Sequence, residues 1–387
     1  MSNLPETTTI SYLHPQGSFN LADHGVPTGR EEFWRFTPVE KLTDFFDENN
    51  VQGSLPIHCV GLGALGSGTS LPTLGKGQVP RGTVLKPVDR TSAIAATTAD
   101  ASYLLIDSEV AEPIRLTIQG DDNQVLTANH LVIEAKPLSR ATVILQYGGR
   151  ARHIGNVEIL VGDGAHLTVV SIQDWERGSV HLGQHEALVN KDSVYRHIVV
   201  TLGGDLVRIQ NNVSYASQGG DAELLGVYFA EAGQHLEHRL FVDHNHPKGV
   251  SHVNYRGALQ GEKATSVWVG DVLIRPAAQG IETYEANKNL VLTDGCRAEA
   301  VPNLEIETGN IVGAGHSAST GRFDEEQLFY LQSRGVDEAE ARRLVVRGFF
   351  TTVLNKIGVE DVETLLMDKI DTELGFGSET GLDKEEK

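Results

Sequence analysis

The sequence predicts a mainly β protein with helical segments at both ends. Short apolar or alternating runs follow one another from Ala101 to about Ser319, separated by Gly-Asp and Gly-Gly turn pairs. Helix start and stop signals gather before about Asn50 and after Gly321. Composition agrees: 41 Gly and 6% aromatic residues in 387 favour an architecture of many turns over a helical bundle.

Taken in order, Thr37-Pro38-Val39-Glu40 offers an N-cap, a Pro at the first helical position and a capping-box Glu ahead of Lys41–Phe46. That predicts a short helix. Val51 to about Lys86 is rich in Gly and Pro without a period and reads as irregular structure covering something else. Strand runs then extend from Tyr103–Ile106 and Ile114–Ile118 through Val157–Val161, Leu206–Val213 and Leu224–Phe229 to Leu304–Glu307. A β-sandwich, a double barrel or a parallel β-helix would each produce them. The turns Gly162-Asp163, Gly204-Asp205, Gly220-Asp221 and Gly261-Glu262 give no strict repeat length, so periodicity leaves the three open.

Beyond Gly321, Asp324 with Gln327 starts a helix, Phe323 and Leu328 form a staple pair, and Gly335 is its C′ stop. Asp337 with Glu340 caps a second helix, with apolar columns Val345/Phe349/Val353/Ile357 and Val346/Phe350/Leu354. A third runs from Val359 to Ile370, with Val362, Leu366 and Ile370 on one side. Residues 356–387 hold ten acidic residues and four Lys, and the end reads as disordered. The expected divisions are a helical and irregular segment 1–90, a β core 91–320, a helical domain 321–375 and a tail 376–387.

The charge excludes some functions. With 32 Lys+Arg against 52 Asp+Glu, the net charge of −20 repels nucleic acid and anionic lipid. Two Cys, Cys59 and Cys296, exclude a disulfide framework and fit a reducing cytoplasm. The first residues carry no signal-peptide pattern, and no apolar run approaches the ~18 residues of a membrane span, so a cytoplasmic protein is expected.

Several motifs invite chemistry. Gly61-Leu62-Gly63-Ala64-Leu65-Gly66 has dinucleotide-loop spacing, but Ser67–Pro72 cannot open the helix that would hold a pyrophosphate, so it reads as a glycine-rich loop. His235, His238, His244, His246 and His252 cluster, and His244-Asn245-His246 is spaced like the two-His signature of a cupin. The carboxylate a cupin supplies shortly after is missing, so strand-end histidines are the plainer reading. Cys296 and His316 could meet in neighbouring turns and offer a thiolate and an imidazole to iron, with Glu299, Glu305 or Glu307 as oxygen donors. A buried inert Cys and an unrelated turn His explain them equally well. A β-helix enzyme acting on polysaccharides would also suit the strand pattern, but it usually carries an export signal. No nucleotide-binding lysine loop, HExxH, GxSxG or Cys-x-x-Cys is present.

The stretch Gly315-His316-Ser317-Ala318-Ser319-Thr320-Gly321-Arg322-Phe323, continuing to Gly335, closely resembles the C-terminal signature of the SufB/SufD family of iron–sulfur cluster assembly proteins. The resemblance extends back through Leu236–His244, Tyr255-Arg256-Gly257, Asn287–Leu292 and Pro302–Ile306, and forward through Glu340–Phe350. Residues 220–350 match strongly, and Glu31-Glu32-Phe33-Trp34-Arg35-Phe36-Thr37-Pro38 looks like the family's early segment. Within the family the chain looks like the SufD branch, because Ser317 stands where SufB-like chains carry Glu.

The resemblance implies a right-handed parallel β-helix core with N-terminal and C-terminal helical segments. It implies a non-enzymatic scaffold paired with a SufB-like paralogue and a SufC-like ATPase docked on the C-terminal helices, for which Phe329, Tyr330, Arg334, Val345 and Phe349 are the expected contacts. His316 and Cys296 fall at the expected cluster-assembly interface. No cofactor is expected to stay on this chain alone; a transient cluster forms at the partner interface. A homodimer, a flavin in the complex and a dedicated metal site are left open.

Overall fold

The computed structural model describes residues 17–61, 69–98, 100–323, 325–372 and 374. At the N-terminus lies a strap of 3-10 turns, Leu21–Asp23, Val39–Lys41, Thr43–Phe46 and Glu48–Asn50. The helix expected over Thr37–Phe46 is thus two 3-10 turns. Thr37, the expected cap, instead donates its hydroxyl to Glu237 Oε2 at 2.7 Å, and Pro38 caps nothing. Leu42, Phe45 and Phe46 are buried all the same.

The segment read as irregular contains β1 (Ile57–Val60), β2 (Thr69–Ser70), β3 (Thr73–Leu74) and, just after it, α1 (Arg90–Thr98). These strands are too short to show a period. Helix α1 escapes an amphipathic search because Ala93, Ile94, Ala95 and Ala96 are all buried. Asp89 starts it by accepting from the Ser92 amide at 2.8 Å.

Eight coils follow, each made of two strands. The first four are β4 (Ala101–Ile106) with β5 (Ile114–Gln119), β6 (Leu126–Ala135) with β7 (Arg140–Gly149), β8 (Arg152–Val161) with β9 (His166–Trp175), and β10 (Val180–Val189) with β11 (Val194–Thr201). The next two are β12 (Leu206–Tyr215) with β13 (Asp221–Ala230), and β14 (His235–His244) with β15 (Val250–Leu259). Two more, β16 (Thr265–Ile274) with β17 (Ile281–Val291) and β18 (Arg297–Ile306) with β19 (Ile311–Arg322), complete the stack. Each strand pairs in parallel with the strand two further on, giving a nine-stranded sheet from β3 to β18 and a ten-stranded sheet from β2 to β19. The protein is a β-solenoid, as the resemblance implied.

The register explains why no repeat length was legible. Leu126 pairs with Arg152, 26 residues on; Asp221 pairs with Val250, 29 on; Val250 pairs with Glu282, 32 on. Coils of different length stack because the strands stay in register while the turns absorb the difference. Side chains alternate along each strand, so Val157, Ile159 and Val161 enter the interior while Ile154 and Glu158 face outward.

Both outer faces are covered over most of their length. Trp34, Leu42, Phe45 and Ile94 pack on Leu126, Ile154, Leu182 and Leu206 of the nine-stranded sheet. Beyond α2 (Glu325–Ser333), α3 (Glu338–Leu354) and α4 (Glu360–Asp371) lay Val346, Phe350, Val353 and Leu366 on Ile144, Val170, Ile198 and Val227 of the ten-stranded sheet. Asp337 caps α3 as expected, accepting from the Glu340 amide at 2.9 Å, and Gly335 ends α2's turn at φ +88. Asp324, residues 62–66 of the glycine-rich motif and the tail 376–387 lie outside the described residues. No helix among the described residues is long and apolar enough to cross a membrane.

Candidate functional site: the open end of the solenoid

The two ends of the stack differ. At the N-terminal end β1 lies antiparallel on β5 and β3 antiparallel on β4, so the first coil is closed. At the other end β18 and β19 are the outermost strands of their sheets. Their residues are half-buried or exposed, while those of β16, one coil below, are almost all buried. Open strand edges of ten and twelve residues are pairing surfaces.

His316 stands in the middle of this end. It pairs in register with Glu285, so it occupies an inner-face position on β19 and is exposed because no further coil covers it. Its Nδ1 lies 3.9 Å from Oε1 of Glu285, whose side chain is 1% exposed. No side chain bonds either Glu285 oxygen. Burial pushes this carboxyl up to about 8, nearby Asp271 pushes the same way, and the Asn303 amide pulls the other way. Gly270 makes the room: a Cβ there would sit 2.3 Å from Glu285 Oε2 and 2.5 Å from the Trp268 ring. On the outer face, the Tyr284 hydroxyl donates to Ser317 Oγ at 3.1 Å.

Cys296 and His316 belong to the same last coil but are not brought together. Cys296 sits in the corner between β17 and β18, its thiol donating to the Gly261 carbonyl at 3.4 Å. The β19 residue beside the end of β17 is Arg322, six positions past His316 and roughly 20 Å along the strand. Cys59 is buried in β1, and burial pushes its thiol up. Among the described residues no three His, Cys, Asp or Glu side chains are arranged to hold a metal ion.

The His235–His252 cluster is dispersed by strand alternation, which corrects the cupin reading. His235 contacts Glu237 on the outer face at 3.1 Å, whereas His238 and His244 point inward and stack on Tyr228 and Tyr215. His252 is exposed beside the inward Ser251, which meets His244 at 2.9 Å. His244 is held by Tyr215 and Ser251, while His246 lies beyond the end of β14 in the bend that follows.

The five residues expected to dock an ATPase divide in two. Phe329 and Tyr330 on α2 are 72% and 57% exposed, with the Arg334 guanidinium 5.2 Å from the Tyr330 ring. Val345 and Phe349 are half-buried: Val345 packs with Phe323, Leu328 and Ala341, while the Arg256 guanidinium lies over the Phe349 ring.

Sequence reasoning missed two features of the interior. One is Glu285, legible afterwards in the inward row Ile281, Thr283, Glu285, Asn287, Asn289, where polar residues occupy core positions. The other is a set of buried histidines, His153, His181, His185 and His197, among which His185 Nδ1 and His197 Nε2 are 3.3 Å apart. Burial depresses all four, His153 and His185 to about 3.

Residues 117–349 match the family model described as SUF system FeS cluster assembly, SufBD core domain. The iron-sulfur cluster assembly SufBD family protein Rv1462 of Mycobacterium tuberculosis is 47% identical over 373 residues, covering 94% of this chain and 93% of the relative. The SufBD family protein ML0594 of Mycobacterium leprae is 47% identical over 366 residues, covering 92% and 93%. The iron-sulfur cluster assembly protein SufD of Bacillus subtilis is 26% identical over 278 residues, covering 70% and 62%.

Proposed function

This chain belongs to the SufBD family of the SUF iron–sulfur cluster assembly system, and from that membership we propose that it is a SufD-like, non-catalytic scaffold subunit. It joins a SufB-like paralogue through the open end of its solenoid and carries a SufC-like ATPase on α2 and α3. The nascent cluster is cargo at the joint. The single observation that supports this most is the uncapped last coil with His316 on its inner face. A solenoid end is ordinarily sealed by a cap, and a partner's last coil would seal this one while placing its own residues against the imidazole.

The donor count supports a shared site. Iron–sulfur clusters take four protein ligands, mostly thiolates. This chain has two Cys, one buried in β1 and one half-buried in a corner, so it offers His316 and borrows the rest. The exposed Phe329 and Tyr330 support α2 as the ATPase contact. Co-expression with the SufB-like and ATPase subunits should yield a three-component complex with altered ATP hydrolysis. Elution of the chain alone, with the ATPase rate unchanged, would remove the scaffold reading; elution as a cluster-binding homodimer would favour a SufB-like role.

A further inference from the structure

Glu285 is the group at the open end that packing does not explain. It is 1% exposed, no side chain bonds either carboxyl oxygen, and buried groups left in that state call for a reason. It is also cradled: Gly270 leaves the space its Oε2 fills, with the Trp268 ring against the same spot. The Asn303 backbone amide lies near enough to favour its charged form, but the side chains along its coil's end give it nothing to bond. Ala314 and Ala318 flank His316 on the inner row of β19, and Ala300 and Pro302 stand one coil above Trp268 and Gly270. His316 is the donor in reach, with Nδ1 at 3.9 Å, a gap that rotation of an exposed ring closes.

Resting on the reading of His316 as a cluster-assembly residue, we infer that Glu285 is its positioning residue. When the imidazole engages iron through Nε2, Nδ1–H donates to Glu285, which fixes the tautomer and aims Nε2 out of the open end. Imidazole ligands are held this way by carboxylates in metal sites generally, and losing such a support typically costs ten- to a hundredfold. The register makes the pairing specific, because sliding β19 by one residue would turn His316 to the outer face.

The test uses the assembled complex and the full chain. Glu285→Ala should lower reconstituted cluster yield about tenfold or more, and Glu285→Gln less, because the amide oxygen still accepts from Nδ1–H. In the 15N-labelled chain, the His316 ring signals, identified by their loss in His316→Ala, should move from the Nδ1–H toward the Nε2–H form in Glu285→Ala. Normal yield and unmoved ring signals in Glu285→Ala, with His316→Ala impaired, would overturn the positioning role and leave the scaffold reading intact. Lost yield with unmoved ring signals would also overturn it, because a purely structural role gives that result. Normal yield in His316→Ala would remove the reading and the inference together.

Discussion

The first coils of the solenoid are sealed and the last coil is bare, although both are built from the same alternating strands. Antiparallel β1 and β3 close the first coil, and the strap, α1, α3 and α4 cover the outer faces above it. The last coil keeps the same inward–outward alternation, but its inner rows carry mostly small residues, Ala298, Ala300, Pro302, Ala314 and Ala318, beside Leu304, Ile311 and His316. Large inner side chains such as Trp175, Tyr195 and Trp268 belong to the sealed part. The difference teaches that the chain itself closes one end and leaves the outermost strands of the other unpaired among the described residues.

Histidine sharpens this contrast most. The sealed interior holds His153, His181, His185, His197, His238 and His244, all depressed by burial, while His316 stands exposed. These six stay neutral when folded but take protons near pH 6.5 when unfolded. Their contribution is therefore complete above 6.5 and drains as pH falls below it toward their lower folded values. Glu285, Glu186 and Asp271, raised by burial to about 8, 7 and 6, act oppositely: the folded state binds their protons first, so they regain stability as pH falls. Six histidines outweigh three carboxyls, so stability falls between pH 7 and 5. Urea unfolding at the two pH values measures it; equal midpoints would show that the interior histidines do not control stability.

Charge in the sealed interior should come next. Ala187 is 1% exposed on the inner row of β10. Ala187→Arg buries an unpaired cation in a filled core and should cost about 4 kcal/mol or more, unfolding the chain or leaving it insoluble. A wild-type urea midpoint would mean that the interior is hollow where it is described as filled.

The strap gives a similar but smaller effect. Arg208 is buried between the rings of Phe33 and Trp34, at 4.6 and 4.1 Å from their centroids, and pairs with Asp89 and Glu237 at 3.2 Å each. Arg208→Met takes a shared counter-charge from two buried carboxylates, of which Glu237 keeps Arg239 and Asp89 keeps only uncharged donors, and should cost about 3 kcal/mol. Limited proteolysis should then release the strap first. A strap as resistant as in the wild type would show that it is held by apolar packing alone.

These sites also show what was legible in the sequence. The motifs that carried the family resemblance turn out to be packing solutions. Tyr228 lies against Gly257, where a Cβ would be 1.8 Å from the ring, and its hydroxyl bonds Asn287 and Asn289. Arg256 donates to the Phe349 carbonyl, and the early Phe33-Trp34 pair clamps Arg208. Helices α2 to α4 were readable because caps and apolar columns are local. The coil stacking was not, because turn lengths vary while pairing is decided between residues 26 to 32 apart. The facing of Glu285 and His316 depends on the same long-range register, so no local pattern announces it.

The smallest effect on stability should fall at the open end, where the same substitution that wrecks the interior becomes harmless to the isolated chain. Ala318 lies on the inner row of β19 beside Asn287, two residues from His316, and is exposed. An arginine there can extend into solvent, so Ala318→Arg should shift stability by no more than about 0.5 kcal/mol, the usual range for surface changes. Its cost appears on assembly, when a partner coil would have to bury that guanidinium without a counter-charge. The variant should purify as a folded monomer with a wild-type urea midpoint, yet fail to retain the SufB-like subunit in a pull-down that still recovers the ATPase. Undiminished retention of that subunit would place the joint elsewhere on the molecule, and an unfolded variant would mean that the last coil is sealed within the chain after all.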